Sequence, residues 1–406
     1  MPSTRKPRSA APPGADDSTG DRSPTKRTKV AHQTYLVGRT VYLRGLELAD
    51  AATVALWSDS PFPRSTDVVE DQLKEDVPQD STSGTRRLVI CRRADDCPIG
   101  SMEMYSEDGH TTDITPFVST LFTNAHRMSV LAEVIKLVVP WLLHEHDQMT
   151  VRLHIESGHP ETEQAATSCG MQKAYVLREA MLAAHGGRVD EVCWQALHPT
   201  WLGTLGKPEP PVFGNVQRDV RSPAPADYPR RSKEPPERAI LVGKRIFLRA
   251  IEQDDAEEIA RWSMRETQTA FDVGRMPRTP ISYWHWHRKN YEADPPDWVR
   301  FAICLVKDGA VIGSNGLAHI DWIQRTAETE TEIVQPTYRG SGYGTEAKHL
   351  LLEYGFERLG LHMVRSFAWA FNTPSCSALR KQGYRDAGRL NWTGIKDGAF
   401  ADDLIF

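Results

Sequence analysis

The chain has 406 residues and a formal net charge of −5 at pH 7. This length exceeds one ordinary domain and favours two or three domains, each large enough to bury a core. The slightly acidic balance gives no broad basic surface, so no nucleic-acid partner is expected. Because no apolar run approaches the roughly 20 residues of a membrane helix, we expect neither a membrane span nor a membrane partner.

The cysteines indicate a reducing compartment. The six of them show no CxxC pair and no metal-ligand spacing, which is typical of free buried thiols and not of a disulfide framework or a metal centre. The polar N terminus also lacks the apolar core of a signal peptide. We therefore expect a cytoplasmic protein with no bound metal.

Residues 1–33 are rich in Ser, Pro, Thr, Arg and Lys and contain almost no large apolar side chain. A segment of this composition cannot bury enough surface to offset the entropy that it loses on ordering. The sequence therefore predicts a disordered basic tail. The alternative to a simply solvated tail is a weak contact with nucleic acid or the ribosome.

Two later segments of the chain repeat each other. The 23 residues from Leu36, LVGRTVYLRGLELADAATVALWS, match LVGKRIFLRAIEQDDAEEIARWS from Leu241 at 11 positions, with an offset of 205. Later matches, such as Cys91 with Cys304, keep a constant offset of 213. Self-similarity at a fixed spacing is the mark of repeated structural units. We therefore predict a tandem duplication.

The repeat sets the predicted domain boundaries. The two copies cover residues 34–199 and 237–406, and the proline-rich stretch over 200–236 predicts a semi-rigid linker. The change of offset from 205 to 213 places about eight extra residues in the second copy, between Met264 and Arg300.

Each copy begins with the same predicted elements. Short strands over Val41–Arg44 and Ile246–Arg249 are followed by acidic turns and by amphipathic helices that end near Trp57 and Trp262. The two copies are thus expected to open with the same strand and helix.

In the second copy an antiparallel pair of strands follows, over Val299–Val306 and Val311–Asp321, because Asp308-Gly309 between them is a hairpin signal. The alternation in TETEIV, which ends at Val334, predicts a further strand. Met363–Ala370 predicts a buried strand.

A glycine-rich stretch, YRGSGYGTEA from Tyr338, follows the TETEIV strand and precedes a helical pattern. Glycine lets the backbone approach a ligand closely, and the unpaired N–H groups of a helix N terminus attract anions. The stretch therefore predicts a phosphate-binding loop, and a tight turn without a ligand is the alternative.

A short helix over Ser375–Gln382 and one or two final strands complete the second copy. The fold class that these elements predict is α/β (α+β), with two tandem domains. Each domain is expected to be a mixed, mostly antiparallel sheet flanked by helices.

In this order of elements the second copy resembles a known family. The strand, hairpin, alternating strand, RGSGYG, helix and NTPSCSALRKQGY are similar to the acyl-CoA-dependent N-acyltransferases of the GNAT superfamily, particularly the branch of ribosomal-protein alanine acetyltransferases. The resemblance covers residues 237–406. It implies an N-acetyltransferase that moves an acetyl group from acetyl-CoA to an amine of a small molecule or a protein N terminus by direct attack. The alternative is a non-catalytic binding module with structural coenzyme A.

The resemblance also implies which residues hold coenzyme A. The pyrophosphate loop would consist of Arg339, Gly340, Ser341, Gly342, Tyr343, Gly344 and Thr345. The backbone N–H of Val334 is expected to polarise the thioester carbonyl. Asn372 is expected to hydrogen-bond near the pantetheine, and a turn residue before Pro374 is the alternative for it.

Three glutamates, Glu328, Glu330 and Glu332, alternate along the predicted strand and therefore share one face. Repulsion and partial burial there are expected to raise one pKa into the range of a general base. Glu330 and Glu332 are the catalytic candidates, and solvated edge glutamates are the alternative. Many relatives donate the leaving-group proton from a tyrosine at the position of Leu379, so Ser375 is the replacement candidate, unless it only caps a helix.

The acceptor is expected over the segment that the second copy lengthened. Trp284, Trp286 and Trp298 there offer aromatic surface for an apolar or cationic group, and core packing is the alternative. A protein N terminus, an amino acid, an aminoglycoside and a biosynthetic intermediate all remain open as acceptors.

The first copy differs at the loop. At offset 213, Arg339, Gly340, Gly342 and Gly344 correspond to His126, Arg127, Ser129 and Leu131. Bulky side chains cannot let the backbone approach a diphosphate as glycine does. We therefore expect the N-terminal copy to bind no coenzyme A and to pack on the C-terminal copy.

Overall fold

The computed structural model describes residues 34–57, 63–106, 109–183, 186–214, 234–266 and 279–406. The predicted tail over residues 1–33 and the middle of the predicted linker lie outside these residues. Residues 34–406 form one compact unit. None of the helices in the described ranges is both long and apolar enough to cross a membrane.

The first segment, as far as residue 205, contains both strands and helices. Its strands are β1 (Thr34–Val37), β2 (Val41–Gly45), β3 (Thr85–Arg92), β4 (Cys97–Tyr105), β5 (Thr111–Val118), β6 (Thr150–Glu156), β7 (Gln172–Leu182) and β8 (Arg188–Leu197). Its helices are α1 (Ala51–Trp57), α2 (Thr66–Ser83), α3 (Asn124–His144), α4 (Pro160–Ser168) and α5 (Pro199–Leu205). Helix α5 occupies the start of the predicted linker, because Pro199 stands in its first turn and His198 caps it.

The second segment has the predicted hairpin, alternating strand and helices. Its strands are β9 (Leu241–Val242), β10 (Ile246–Ala250), β11 (Val299–Leu305), β12 (Val311–Asp321), β13 (Thr326–Ile333), β14 (Met363–Arg365), β15 (Phe367–Trp369), β16 (Gly388–Lys396) and β17 (Ala399–Ile405). Its helices are α6 (Gln253–Ser263), α7 (Pro280–Tyr291), α8 (Tyr343–Glu353) and α9 (Thr373–Lys381). Both strands of the predicted hairpin and the TETEIV strand are confirmed.

The strands form two sheets. One has the order β1-β2-β3-β4-β5-β6-β8-β7-β16-β17-β15, and the other has the order β14-β13-β12-β11-β10-β9. Most neighbouring strands are antiparallel, as predicted, and β5 with β6 and β13 with β14 are parallel. The predicted fold class of mixed, mostly antiparallel sheets flanked by helices is confirmed, but β16 pairs with β7 and carries the last strands of the second segment into the first sheet.

Further contacts join the two segments beside this junction. The amide of Gln195 donates to the backbone carbonyl of Asn391 at 2.8 Å, and the N–H of Asn391 donates back at 3.1 Å. Arg188 donates to the carbonyl of Gln324 at 2.8 Å. The segments are therefore held by polar bonds as well as by strand pairing.

The stretch predicted as one buried strand over Met363–Ala370 is two short strands, β14 and β15, and this prediction is wrong. Ser366 separates them, since its backbone exchanges hydrogen bonds with Phe406 and its hydroxyl donates to the carbonyl of Thr329 at 3.1 Å. Strand β14 pairs with β13, whereas β15 pairs with β17. This change of partner opens a gap between β13 and β15.

The same salt bridge positions the first helix in both segments. Asp50 accepts two hydrogen bonds from the guanidinium of Arg44, and Asp255 accepts two from Arg249. Each aspartate also accepts a hydrogen bond, at 2.9 Å, from the backbone N–H of the residue three positions before it. These pairs recur at the offset of 205 found in the sequence. Such bidentate pairs fix the direction in which the chain enters the helix.

Helix α8 lies against the second sheet through the apolar face that the sequence predicts. Ala347, Leu350 and Leu351 are buried in one cluster with Ile303 and Leu317 of the strands. Full burial of one such leucine stabilises the fold by about 1.5–3 kcal/mol. The helix N terminus is thereby held at the end of β13.

Candidate active site

Strand β13 has one paired edge and one open edge. It pairs with β12 along its length but with β14 only over Thr326–Glu328. The N–H of Val334 donates to the carbonyl of Ile312 at 3.0 Å. Because antiparallel pairs alternate, the N–H groups of Thr331 and Ile333 point to the open edge instead. The prediction that Val334 faces the thioester is therefore wrong by one residue.

The glycine loop leads from this open edge to the N terminus of α8. Gly340 and Gly342 have φ of 72° and 83°, a left-handed conformation that other residues adopt at a cost. Gly342 is the N-cap residue of α8, whose first-turn N–H groups have no partner within the helix. A loop of this shape fits a diphosphate group, as the sequence predicts.

The other members of the predicted loop lie around this N terminus. Ser341, Tyr343 and Thr345 are at the start of α8 or directly before it, and Gly344 stands in its first turn. A Cβ on Gly344 would meet Ile333 and Thr331 at ordinary contact distances of 3.7 and 3.8 Å. The backbone of the loop thus lies directly beside the open edge of β13.

Arg245 braces the loop, and sequence reasoning missed it. Its backbone N–H and Nε donate to the two carboxylate oxygens of Glu346 at 2.8 and 2.9 Å. One of its terminal nitrogens donates to the carbonyl of Ser341 at 2.9 Å, and its guanidinium lies 4.4 Å from the ring centre of Tyr343. The match of LVGK with LVGR in the repeat offered the only sequence signal near it.

The side chain of Arg339 turns away from the predicted phosphate cradle. Its Nε donates to the carbonyl of Ile333 at 2.7 Å, and a terminal nitrogen donates to Val334 and forms an ion pair with Glu266. Arg339 thus connects the end of β13 to Glu266, three residues after the end of α6. The predicted role of Arg339 as a member of the loop depends on backbone groups and stays a prediction.

The three alternating glutamates share one face of β13. Most carboxylates around that face form an ion pair with an arginine. The pairs are Glu330 with Arg300, Glu266 with Arg339, and Glu328 with Arg365 at 4.0 Å. Glu332 makes no ion pair with the residues that the structure describes. Burial raises the pKa of Glu332, and Arg300 and Arg339 nearby oppose that rise.

Glu328 lies deeper along the same face. Burial raises its pKa to about 7, while Arg365 lowers the pKa and Glu330 raises it further. A carboxyl group with this pKa changes charge near neutral pH. The predicted rise of one pKa into the useful range thus applies to Glu328, the pKa of Glu332 is also raised by burial, and Glu330 is held by Arg300.

Two of the three predicted acceptor tryptophans come together. The rings of Trp286 and Trp298 meet edge to face at 5.1 Å, and the guanidinium of Arg300 lies 5.1 Å from the centre of Trp286. Trp284 packs instead against the core cluster between α6 and the sheet. For Trp284 the alternative of core packing is therefore the one observed, because this side chain projects from the opposite side of α7 to Trp286.

Asn372 and Ser375 stand at the start of α9. The side-chain oxygen of Asn372 accepts the backbone N–H of Ser375 at 3.3 Å, which makes Asn372 the N-cap residue. The alternative of a capping turn before Pro374 is thus present in the structure. The roles of Asn372 toward pantetheine and of Ser375 as proton donor stay predictions.

In the first segment a helix replaces the loop. Helix α3 begins at Asn124, so His126, Arg127, Ser129 and Leu131 all lie within it. At offset 213 the matching helix α8 begins six residues later, at Tyr343. Among the described residues, no group of three His, Cys, Asp or Glu is placed to hold a metal ion.

Comparison with known proteins gives the same family for the second segment. Residues 245–385 match the model of the acetyltransferase (GNAT) domain. The uncharacterised N-acetyltransferase YnaD of Bacillus subtilis (strain 168) is 32% identical over 92 residues, 22% of this chain. The chain spans about half of YnaD, 51% of its length.

Two longer matches cover nearly the whole of the similar protein. The uncharacterised N-acetyltransferase p20 of Bacillus licheniformis is 28% identical over 172 residues, 41% of this chain and 93% of p20. A solved structure from Sphaerobacter thermophilus DSM 20745, assigned as an acetyltransferase, is 31% identical. That alignment covers 40% of this chain and 97% of the other, with a TM-score of 0.34.

Proposed function

Because the chain belongs, through residues 245–385, to the GNAT family of acyl-CoA-dependent acetyltransferases, we propose that it moves an acetyl group from acetyl-CoA to a primary amine by direct attack. The observation that carries the proposal is the open edge of β13, which runs into the glycine loop and the N terminus of α8. The backbone N–H groups of this edge, of the loop and of the first turn of α8 are thus arranged to bind an extended ligand that carries a diphosphate.

Acetyl-CoA supplies the activated acyl group, and this chain supplies the groups that hold and use it. The first-turn N–H groups of α8 and the loop backbone would hold the diphosphate. The N–H groups of Thr331 and Ile333 would bind the pantetheine arm as one strand augments another, and would polarise the carbonyl that is attacked.

Glu332 is the general base in this proposal. It lies next to the two open-edge N–H groups in sequence, has no ion-pair partner among the described residues, and has a raised pKa because it is desolvated. A base must be free to accept a proton, and Glu330 is committed to Arg300. Glu330 then holds Arg300 under the aromatic surface of Trp286 and does not itself take the proton.

The acceptor would lie over the face that carries Glu332 and the paired rings of Trp286 and Trp298. This face combines carboxylates with aromatic surface, which suits a cationic amine that loses its proton before attack. A primary amine of a small molecule or a protein N terminus is the proposed acceptor.

The first segment is, in this proposal, a non-catalytic copy of the same domain. The recurring Asp–Arg pairs and the strand order of its sheet support a common origin, and α3 replaces the glycine loop. A continuous helix has its backbone N–H groups bonded internally beyond the first turn, so it has no cradle for a diphosphate.

A thiol-release assay with acetyl-CoA and a panel of amines tests the proposal. The panel should contain a peptide N terminus, an amino acid, an aminoglycoside and a polyamine, and mass spectrometry should follow each product. Acetylation of one class, with release of one thiol per product, is the expected result. Donor binding without release of thiol for every class would favour a binding module instead.

A further inference from the structure

A buried polar network closes the gap between β13 and β15. The carbonyl of Thr329 accepts the ammonium of Lys348 at 3.3 Å and the hydroxyl of Ser366 at 3.1 Å. The hydroxyl of Thr329 lies 3.1 Å from Nζ of Lys348 and 2.7 Å from the hydroxyl of Tyr384. Register places the carbonyl of Thr329 on the same open edge as the N–H groups of Thr331 and Ile333.

Lys348 is unusual within this network because it is a buried amine with no hydrogen bond to a carboxylate of the described residues. It projects from α8, and only 7% of the residue is exposed. Burial lowers its pKa to about 8, and Glu330 and Glu328 of β13 oppose that change. The ring centre of Tyr384, which follows α9, lies 5.9 Å from Nζ of Lys348, and the hydroxyl of Thr329 also donates to the backbone carbonyl of Arg365 of β14 at 3.3 Å.

We propose that Lys348 is the proton source for the departing thiolate and that the hydroxyl of Thr329 transfers the proton. This inference rests on the proposed function. The amine nitrogen forms its bond to the acyl carbon as the carbon–sulfur bond breaks, and the electron pair of that bond leaves on sulfur. Sulfur takes the proton of the Thr329 hydroxyl, which takes one from the ammonium of Lys348. Glu332 takes the proton lost by the acceptor amine, and exchange with water resets both groups.

The other hydroxyls of the region are poorer sources. Burial raises the pKa of Tyr384, so its phenol gives up a proton reluctantly. Ser375 stands in the cap of α9, and a serine hydroxyl has no acidic group behind it unless one is bonded to it. An ammonium whose pKa lies near that of a thiol is matched to protonating a thiolate.

The test uses the full chain and compares Lys348→Met and Thr329→Val with the wild type. Methionine keeps the length of the lysine without its charge, and valine keeps the shape of the threonine without its hydroxyl. Lys307→Met, on the exposed β11–β12 hairpin, is the matched control. Calorimetry with coenzyme A measures donor binding, and single-turnover rates across pH measure the chemical step.

Both test variants should keep donor affinity within about threefold and lose about 100-fold in single-turnover rate at neutral pH. In the wild type the rate should fall as pH rises through the pKa of Lys348, because the ammonium is lost. That alkaline fall should be absent in Lys348→Met and unchanged in Lys307→Met. Unchanged rates in both test variants, or an alkaline fall that Ser375→Ala removes, would overturn the inference while the acetyltransferase assignment stands.

A second measurement does not depend on turnover. Between pH 8 and the ordinary lysine value of 10.5, the unfolded chain binds a proton at Lys348 that the folded chain does not. The stability of the wild type relative to Lys348→Met should therefore rise with pH over this range. A difference in unfolding free energy that stays constant from pH 7 to pH 10 would overturn the inference.

Discussion

Glu346 accepts hydrogen bonds from both the backbone N–H and the side chain of Arg245, at 2.8 and 2.9 Å. In the first segment Glu133 accepts the backbone N–H of Thr40 at the same 2.8 Å. Glu133 and Glu346 are 213 residues apart, which is the offset of the repeat. In each segment one carboxylate thus joins the residue before the second strand, β2 or β10, to helix α3 or α8, but only Glu346 also reaches the glycine loop through Arg245.

This pair gives a matched experiment. Glu346→Gln and Glu133→Gln should each lower the free energy of unfolding by about 1–3 kcal/mol, because each removes a charge-assisted bond. Only Glu346→Gln should also weaken coenzyme A binding, since it loosens the arginine under the loop. Urea denaturation and calorimetry measure the two effects. Equal donor affinity in the two variants would contradict the bracing role of Arg245.

Gly342→Val should abolish donor binding. Gly342 has φ of 83°, and a β-branched residue is strained there by about 1–3 kcal/mol. Gly309→Val is the control, because Gly309 has φ of 75° at the tip of the β11–β12 hairpin, with no atom within 4 Å of an added Cβ. It should lose similar stability and keep its affinity for acetyl-CoA. A folded Gly342→Val chain that binds the donor normally would rule out the loop as the diphosphate site.

Glu332→Gln should lower turnover by about 100-fold with little change in donor affinity. The raised pKa of Glu332 means that the base is protonated at low pH, so wild-type turnover should rise as pH rises through that pKa. The glutamine variant should lose this acid limb. A profile that keeps the same limb in the variant would assign the base elsewhere, with Glu328 the next candidate.

Glu330→Gln should act differently from Glu332→Gln. It leaves the partly buried guanidinium of Arg300 without its carboxylate, so it should cost about 1–3 kcal/mol of folding free energy. The loss of activity should follow the loss of folded protein in a thermal melt. A stable Glu330→Gln chain with turnover reduced as strongly as in Glu332→Gln would favour a direct role for Glu330.

Coenzyme A should bind one site per chain. Ser129 and Leu131 lie inside α3, so the backbone N–H groups that would meet a diphosphate are bonded within the helix. Calorimetry on the full chain should therefore give a stoichiometry of one, and Gly342→Val should remove it entirely. A stoichiometry of two, or a residual site in that variant, would show that the first segment binds the donor as well.

Gly388→Ala should weaken the junction between the segments. Gly388 has φ of 149°, and an added Cβ would overlap the carbonyl of Ala174 and the backbone of Tyr175 on β7. The expected cost is about 2 kcal/mol or more. Gly398→Ala, at the open tip of the β16–β17 hairpin, should cost only about 1 kcal/mol, because nothing lies within 4 Å of its added Cβ. Equal costs in urea denaturation would contradict the tight junction.

The elements of the second segment were largely predictable because their signals are local. The Asp-Gly hairpin, the alternation of TETEIV and the apolar stripe of α8 each depend on neighbouring residues, and all three are confirmed. The glycine loop was also placed correctly at a helix N terminus, since the φ values it requires are a property of the residues themselves.

The details that failed depend on the register and partners of distant strands. The N–H of Ile333 faces the open edge because the N–H of Val334 bonds to Ile312 on the neighbouring strand. No local sequence pattern determines which of the two N–H groups faces each edge. The ion pair of Arg339 with Glu266, which no sequence pattern indicated, joins residues 73 positions apart. The break at Ser366 likewise follows from a change of partner strand and not from a loop-forming residue.

The pairing of β7 with β16 can form only at the end of synthesis. Tyr175 of β7 is made 213 residues before Gly388 of β16, so the edge of β7 stays without its partner until the last strands leave the ribosome. An uncovered strand edge is a template for pairing with another chain. Contacts between residues so far apart in sequence also form slowly. Nascent chains interrupted before Gly388 should therefore associate through β7 and depend on chaperones more than the completed protein does.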